Sequence, residues 1–137
     1  MKKAIIFSVF ILSAIILAAQ PSADLELSVP DVMPKFRGGE TEMFIFINER
    51  MNFSDEDTVN HIAGELIMTF VVDTSGIISD LEIKKGVSTK IDSEIKRIFQ
   101  TMPAWIPGRV NRQNVNCRFS LAMIINAEHG KVQPVFR

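Results

Sequence analysis

The sequence predicts an α+β domain in which a three-stranded antiparallel sheet packs against two helices, in the order α-β-β-α-β. Three observations support this class. Three segments alternate apolar and polar residues with the period of a strand, and the first two are joined by a short turn ending in glycine. Two further segments repeat apolar residues at helical spacing. A chain of 137 residues corresponds to one such domain.

Residues 1–19 have the pattern of a secretory signal peptide. Lys2 and Lys3 precede an apolar run over residues 4–19, which ends in two alanines and a polar break. An uncleaved membrane anchor is the alternative, although the run is just shorter than the ~17–25 residues that span a bilayer. Both interpretations place the rest of the chain in the periplasm. Residues 20–36 contain prolines and are expected to form an extended lead-in.

The first helix is predicted to begin near Gly39. Glu40 and Glu42 favour the positive end of a helix, and apolar residues then recur at spacings of one, three and four. Residues 54–60 are polar and acidic, which predicts a loop or one short helical turn. The apolar face of the helix consists of Met43, Phe44, Ile47 and Met51.

Two strands are predicted next. Residues 62–73 alternate apolar side chains and are rich in β-branched and aromatic residues, and residues 77–85 return as the second strand. The turn between them needs a positive φ, which Gly76 supplies. The side chains predicted to face the core are those of Ile62, Gly64, Leu66, Met68, Phe70, Val72, Leu81 and Ile83.

The second helix is predicted over residues 90–102 and is ended by Pro103. A polar loop over residues 108–114 leads to a third strand over residues 115–125, and residues 127–137 are expected to be an irregular tail. The domain is therefore expected to cover residues 37–126. The apolar face of the helix contains Ile91, Ile95, Ile98, Phe99 and Met102, and that of the strand Val115, Cys117, Phe119, Leu121, Met123 and Ile125.

The third strand is predicted to form an outer edge of the sheet, because the first strand lies between the other two. It is long and contains neither proline nor glycine, and such an unpaired edge is a template for another chain. Addition of an extended peptide there is a known mode of recognition. The alternative is that the C-terminal tail folds back and covers this edge. The candidate peptide-binding residues are Asn116, Arg118, Ser120, Ala122 and Ile124.

Three stretches of the sequence resemble the TonB C-terminal domain family, in particular its members from the Bacteroidetes. Residues 64–76 are similar to the first hairpin of that family, and residues 102–108, with the pattern Met-Pro-x-Trp-x-Pro, to the segment after the second strand. Residues 34–40 resemble the family's lead-in, although Arg37 replaces a proline, and Phe53 and Ser54 stand where the family has Tyr-Pro. The resemblance extends over roughly residues 34–125.

The resemblance implies a periplasmic module that binds the N-terminal segment of an outer-membrane transporter by strand addition to the third strand. It also implies contact with an inner-membrane motor complex that energises transport. The sequence lacks the family's long proline-rich spacer, and an extended chain reaches only ~3.3–3.6 Å per residue. We therefore expect an accessory or adaptor role in energised transport. A structural envelope protein that forms a homodimer through the same edge is the alternative.

The composition gives no support for catalysis, cofactor binding or nucleic-acid binding. The net charge is −1, without a basic patch. His61 and His129 have no second ligand at metal-binding spacing, and no catalytic triad or phosphate-binding loop is present. Cys117 is the single cysteine and is expected to be a buried core residue, with intermolecular pairing as the alternative. Trp105 is likewise expected to fill the core, with a platform for a ligand as the alternative.

Overall fold

A computed structural model describes residues 26–135 of the chain. The predicted signal peptide or anchor over residues 1–19 lies outside this described part. Within it, no helix combines the length and apolar character needed to cross a membrane. The elements in chain order are α1 (Gly39–Arg50), α2 (Asp55–Val59), β1 (Ala63–Val72), β2 (Ile78–Lys85), α3 (Thr89–Gln100), β3 (Gly108–Val110), β4 (Gln113–Val115), β5 (Cys117–Asn126) and β6 (Lys131–Pro134).

The main sheet has four antiparallel strands in the order β2-β1-β5-β6. The predicted α+β class and the central position of β1 are confirmed. The predicted number of three strands is wrong, because residues of the expected irregular tail form β6 on the outer side of β5. β1 and β5 pair without interruption from Ala63 opposite Asn126 to Val72 opposite Cys117. β5 therefore contains no bulge along its pairing with β1.

β6 is held by an amide side chain of α1. Asn48 donates its side-chain N–H to the Val132 carbonyl at 2.8 Å and accepts the Val132 backbone N–H at 2.8 Å. Val132 itself is buried in the core. Gly130, with φ 59°, makes the reversal between β5 and β6, and Pro134 ends the strand where a missing N–H is tolerated. The alternative of a tail that folds back is thus confirmed for residues 131–134.

The core lies between the sheet and the two longer helices. The predicted inward face of β1 is confirmed, since Leu66, Met68, Phe70 and Val72 are fully buried. The apolar stripes within α1 and α3 are buried as predicted. Met51 and Met102, predicted to end these stripes, lie beyond the helix ends at Arg50 and Gln100 and are only partly buried. Burial of this apolar surface is the main source of stability for a chain with one free thiol. The buried helical residues are Met43, Phe44, Ile47, Ile91, Ile95, Ile98 and Phe99.

Two local features differ from or refine the sequence prediction. The expected polar loop over residues 108–114 is a small hairpin of β3 and β4, turned by Asn111 and Arg112 at φ 48° and 68°. Residues 54–60 contain the short helix α2, which is capped by Ser54 and Asn60. Its first turn is closed by a capping box, in which the Ser54 hydroxyl accepts the Asp57 N–H and the Asp57 carboxylate accepts the Ser54 N–H.

The lead-in lies against the domain. Val32 donates its backbone N–H to Arg109 of β3 at 3.1 Å, and Lys35 donates to Ile106 at 3.0 Å. Phe36 is buried, with its ring 6.0 Å from that of Trp105. Trp105 is 1% exposed, which confirms the prediction that it fills the core. The lead-in and the segment that contains Trp105 and Ile106 therefore form one wall of the domain beside β5.

Candidate functional site

The direction of the β5 backbone groups follows from the contacts of β6. Both backbone groups of Val132 face Asn48 and therefore point away from β5. Its neighbours Lys131 and Gln133 must then bond to β5, which directs the backbone groups of Ile124 and Asn126 outward. Because β5 contains no bulge, every second residue shares this direction. The outward-facing residues of β5 are thus Arg118, Ser120, Ala122, Ile124 and Asn126.

The outer side of β5 is occupied at both ends. At the C-terminal end, β6 pairs Ile124 with Gln133 and ends opposite Met123. At the N-terminal end, the Ser28 N–H donates to the Asn116 carbonyl at 2.9 Å. Asn116 also donates its side-chain N–H to the Glu26 carbonyl at 3.4 Å. The expectation of a free edge is therefore wrong at Asn116 and Ile124, because segments distant in sequence fold onto these two positions.

Residues 118–122 lie between these two ends and are called the open segment below. Within the described residues, no hydrogen bond occupies the outward backbone groups of Arg118, Ser120 or Ala122. Each of the three offers one donor and one acceptor, and the segment extends over about 13 Å at the rise of a strand. Three of the five predicted site residues are therefore still available, in the middle of the strand.

A recess lies beside the open segment, on the inward face of the sheet. Its volume is about 190 Å³, and its wall is mostly apolar. The ring of Trp105 lies 5.8 Å from that of Phe119 and 5.2 Å from that of Phe70, which fixes the base of the recess. The lining residues are Pro34, Lys35, Phe36, Glu40, Met43, Trp105, Phe119 and Leu121.

The other face of the open segment is polar. Arg118 donates to the Asp80 carboxylate of β2 across the sheet, and Ser120 is exposed. This ion pair is solvent-exposed and contributes on the order of 0–1 kcal/mol. A strand added here would therefore have one face exposed to solvent and the other face over the apolar recess.

The residues considered for metal or thiol chemistry are not part of the open segment. His61 approaches Glu128 at 3.5 Å, and His129 contacts Asn126. No cluster of three metal-ligating side chains occurs among residues 26–135. Cys117 is fully buried, as predicted, and this burial raises the pKa of its thiol, partly offset by a backbone hydrogen bond from Gly108. The protonated, enclosed sulfur is poorly placed for reaction.

The sequence interpretation named the β5 residues whose backbone groups point outward, but it missed the side chains that line the recess. Phe119 and Leu121 had been assigned to the core, and both are partly buried next to it. The signal that could have found the recess is the density of aromatic and proline residues in residues 34–36 and 103–107. Only the folded chain shows that these two stretches meet beside Leu121.

Comparisons with known proteins find a likeness among solved structures only. No family model matches the sequence, and no curated protein matches it. Among solved structures, the chain is similar to the C-terminal domain of TonB from Helicobacter pylori, determined in solution by NMR. The two share 15% identity with a TM-score of 0.41, over 60% of this chain and 88% of that chain. This degree of similarity assigns no role to a residue, so the proposals below depend on this chain's own residues.

Proposed function

We propose that this chain is a TonB-like binding module of the cell envelope, without catalytic activity, that captures an extended peptide by adding it as a strand to the open segment. The proposed guest is a segment such as the N-terminus of an outer-membrane transporter, and the proposed role is to support or modulate energised transport. The single observation that carries the proposal is the row of outward backbone groups at Arg118, Ser120 and Ala122, left between Asn116 and Ile124.

The size of the open segment limits the affinity that backbone pairing can give. Three residues offer at most six backbone hydrogen bonds, each with a net value of about 1 kcal/mol. Ordering about five guest residues costs about 1–2 kcal/mol each. Backbone bonds alone therefore give weak, reversible capture. Binding that is useful to the cell requires side-chain contacts in addition.

The same geometry weighs against the alternative of self-pairing. β5 has 10 residues, whereas the open segment has room for about half of them. A second copy of β5 laid antiparallel about Ser120 would meet Pro134 at one end and the Ser28 segment at the other. A flexible peptide can bend away at these two points, but a strand fixed within a folded domain cannot. We therefore expect a monomer in sedimentation experiments across a wide range of protein concentration.

The backbone donor at the centre of the open segment provides the test. Ser120→Pro removes the outward N–H of Ser120 and leaves the bonds between β5 and β1 in place, since those belong to its neighbours. We expect peptides selected from a displayed library with free N-termini, and synthetic transporter N-terminal peptides, to lose binding. Ser120→Ala is the matched control and should bind as the wild type does. Equal binding by a folded Ser120→Pro variant would refute the proposal.

A further inference from the structure

The side chains of a captured strand would alternate between the two faces of the sheet. Phe119 and Leu121 direct their backbone groups toward β1, so guest residues opposite them form non-hydrogen-bonded pairs. In such pairs the two Cβ atoms are about 4.5–5.5 Å apart and point to the same face. For Phe119 and Leu121 that face contains the recess. At least one side chain of any guest is therefore directed to the recess.

The recess has the size and lining of a site for one large apolar side chain. Its volume is about 190 Å³, and an apolar cavity of about 150 Å³ is known to hold a benzene-sized group. Met43 and Trp105 in its wall are 3% and 1% exposed and are fixed in the core. The wall is thus largely pre-formed, and a guest loses little free energy in shaping it.

We propose that the recess sets the specificity of the site by accepting one large apolar side chain, aliphatic or aromatic, from the residue of the guest that faces Leu121. This inference rests on the proposed function, because it needs the guest backbone to be paired with the open segment. The partner class is then an extended segment with a single apolar anchor among residues that tolerate solvent. Burying such an anchor favours it over alanine by on the order of 10- to 100-fold in affinity.

The experiment is the selection of a displayed peptide library on wild-type protein and on two variants of Leu121. Wild type should enrich Leu, Ile, Met or Phe at one position of the captured sequences. Leu121→Trp fills the recess and should shift that position to Gly, Ala or Ser while capture continues. If the Leu121→Trp variant captures no peptide, the Leu121→Ala variant provides the test. Its enlarged recess should shift the preferred residue at that position of the peptide toward Trp. Ile45→Trp, on the exposed face of α1 and outside the recess, is the matched control and should select as wild type.

The outcomes distinguish the two proposals. Capture that is lost in Ser120→Pro but shows no positional preference overturns the inference and leaves strand addition intact. A preference that stays unchanged in both Leu121 variants also overturns it. Absence of capture by wild type, or capture unaffected by Ser120→Pro, refutes the proposed function itself. Selection is repeated with a variant ending at Val135, and a preference shown only by that variant would mean that the chain's own last residues fill the recess, which overturns the inference for the full chain.

Discussion

Asn48 is expected to control whether β6 stays on the sheet. The side chain of Asn48 makes two hydrogen bonds to Val132, both 2.8 Å long. Asn48→Ala removes them and leaves two part-buried backbone groups without partners. Because β6 has only four residues, loss of these hydrogen bonds should cause local opening of this strand rather than unfolding of the domain.

The magnitude follows from the contacts of β6. Its pairs with Ile124 and Asn126 give four hydrogen bonds, about 4 kcal/mol in all, and the two from Asn48 add about 2 kcal/mol. Burial of the Val132 side chain adds about 2 kcal/mol. Fixing four residues costs about 6 kcal/mol. β6 is thus favoured by about 2 kcal/mol, and Asn48→Ala brings this near zero, a roughly 30-fold change in the opening equilibrium.

Amide hydrogen exchange measures this opening directly. In Asn48→Ala, the amides of Ile124, Asn126 and Gln133 should exchange at least ten times faster, while amides of β1 keep their protection. Asn52→Ala, an exposed asparagine beyond the end of α1, is the matched control and should change neither. If Asn48→Ala is folded and exchange at Ile124 is unchanged, the hydrogen bonds to Val132 do not hold β6, and the reasoning is wrong.

Two further predictions concern the turn before β2 and the cap of α2. Gly76→Ala should destabilise the domain by about 2–5 kcal/mol in urea unfolding, because φ is 83° and an added Cβ would lie 2.0 Å from the Trp105 carbonyl oxygen. Gly130→Ala is the control: φ is also positive there, but an added Cβ would meet open space, so the loss of stability should be clearly smaller. Equal losses in the two variants would contradict the steric argument. The hydrogen bonds from Ser54 hold the pKa of Asp57 below its usual range. The folded state therefore gains stability above the ordinary aspartate pKa of about 4 and loses it as the pH falls through the lower folded value. The thermal stability of Asp57→Asn relative to wild type should be lowest near neutral pH and recover toward pH 2–3; a difference independent of pH would contradict this assignment.

The parts of the fold that depend on local periodicity could be predicted from the sequence. Alternation over residues 64–72 predicted the buried face of β1, and the helical spacing of Ile91, Ile95, Ile98 and Phe99 predicted that of α3. In both cases the spacing of apolar residues within a single element indicates which side of that element is buried. The hairpin of β3 and β4 was missed because Asn111 and Arg112 adopt left-handed conformations without the glycine that usually marks such a turn.

β6 and the limits of the site could not be predicted in this way. The sequence Lys-Val-Gln-Pro contains one apolar residue and a proline, which is a weak strand signal. Its pairing depends on Asn48, 84 positions earlier in the chain. The other limit depends on Ser28, whose contact with Asn116 has no sequence pattern. The alternation of apolar and polar residues could show which β5 residues share one direction. It could not show which of these residues are covered by another segment of the chain.

The contacts of the lead-in are arranged in series along the chain, and this has a mechanical consequence. Ser28 meets Asn116, Val32 meets Arg109 and Lys35 meets Ile106, in that order. Tension applied to the chain ahead of residue 26 would load these contacts one at a time, beginning with those of Glu26 and Ser28 to Asn116. Release of the contact between Ser28 and Asn116 would uncover the Asn116 carbonyl and add one outward-facing residue to the open segment. If the open segment captures a peptide as proposed, a pull from that side would strengthen binding of the peptide before the rest of the domain bears any load.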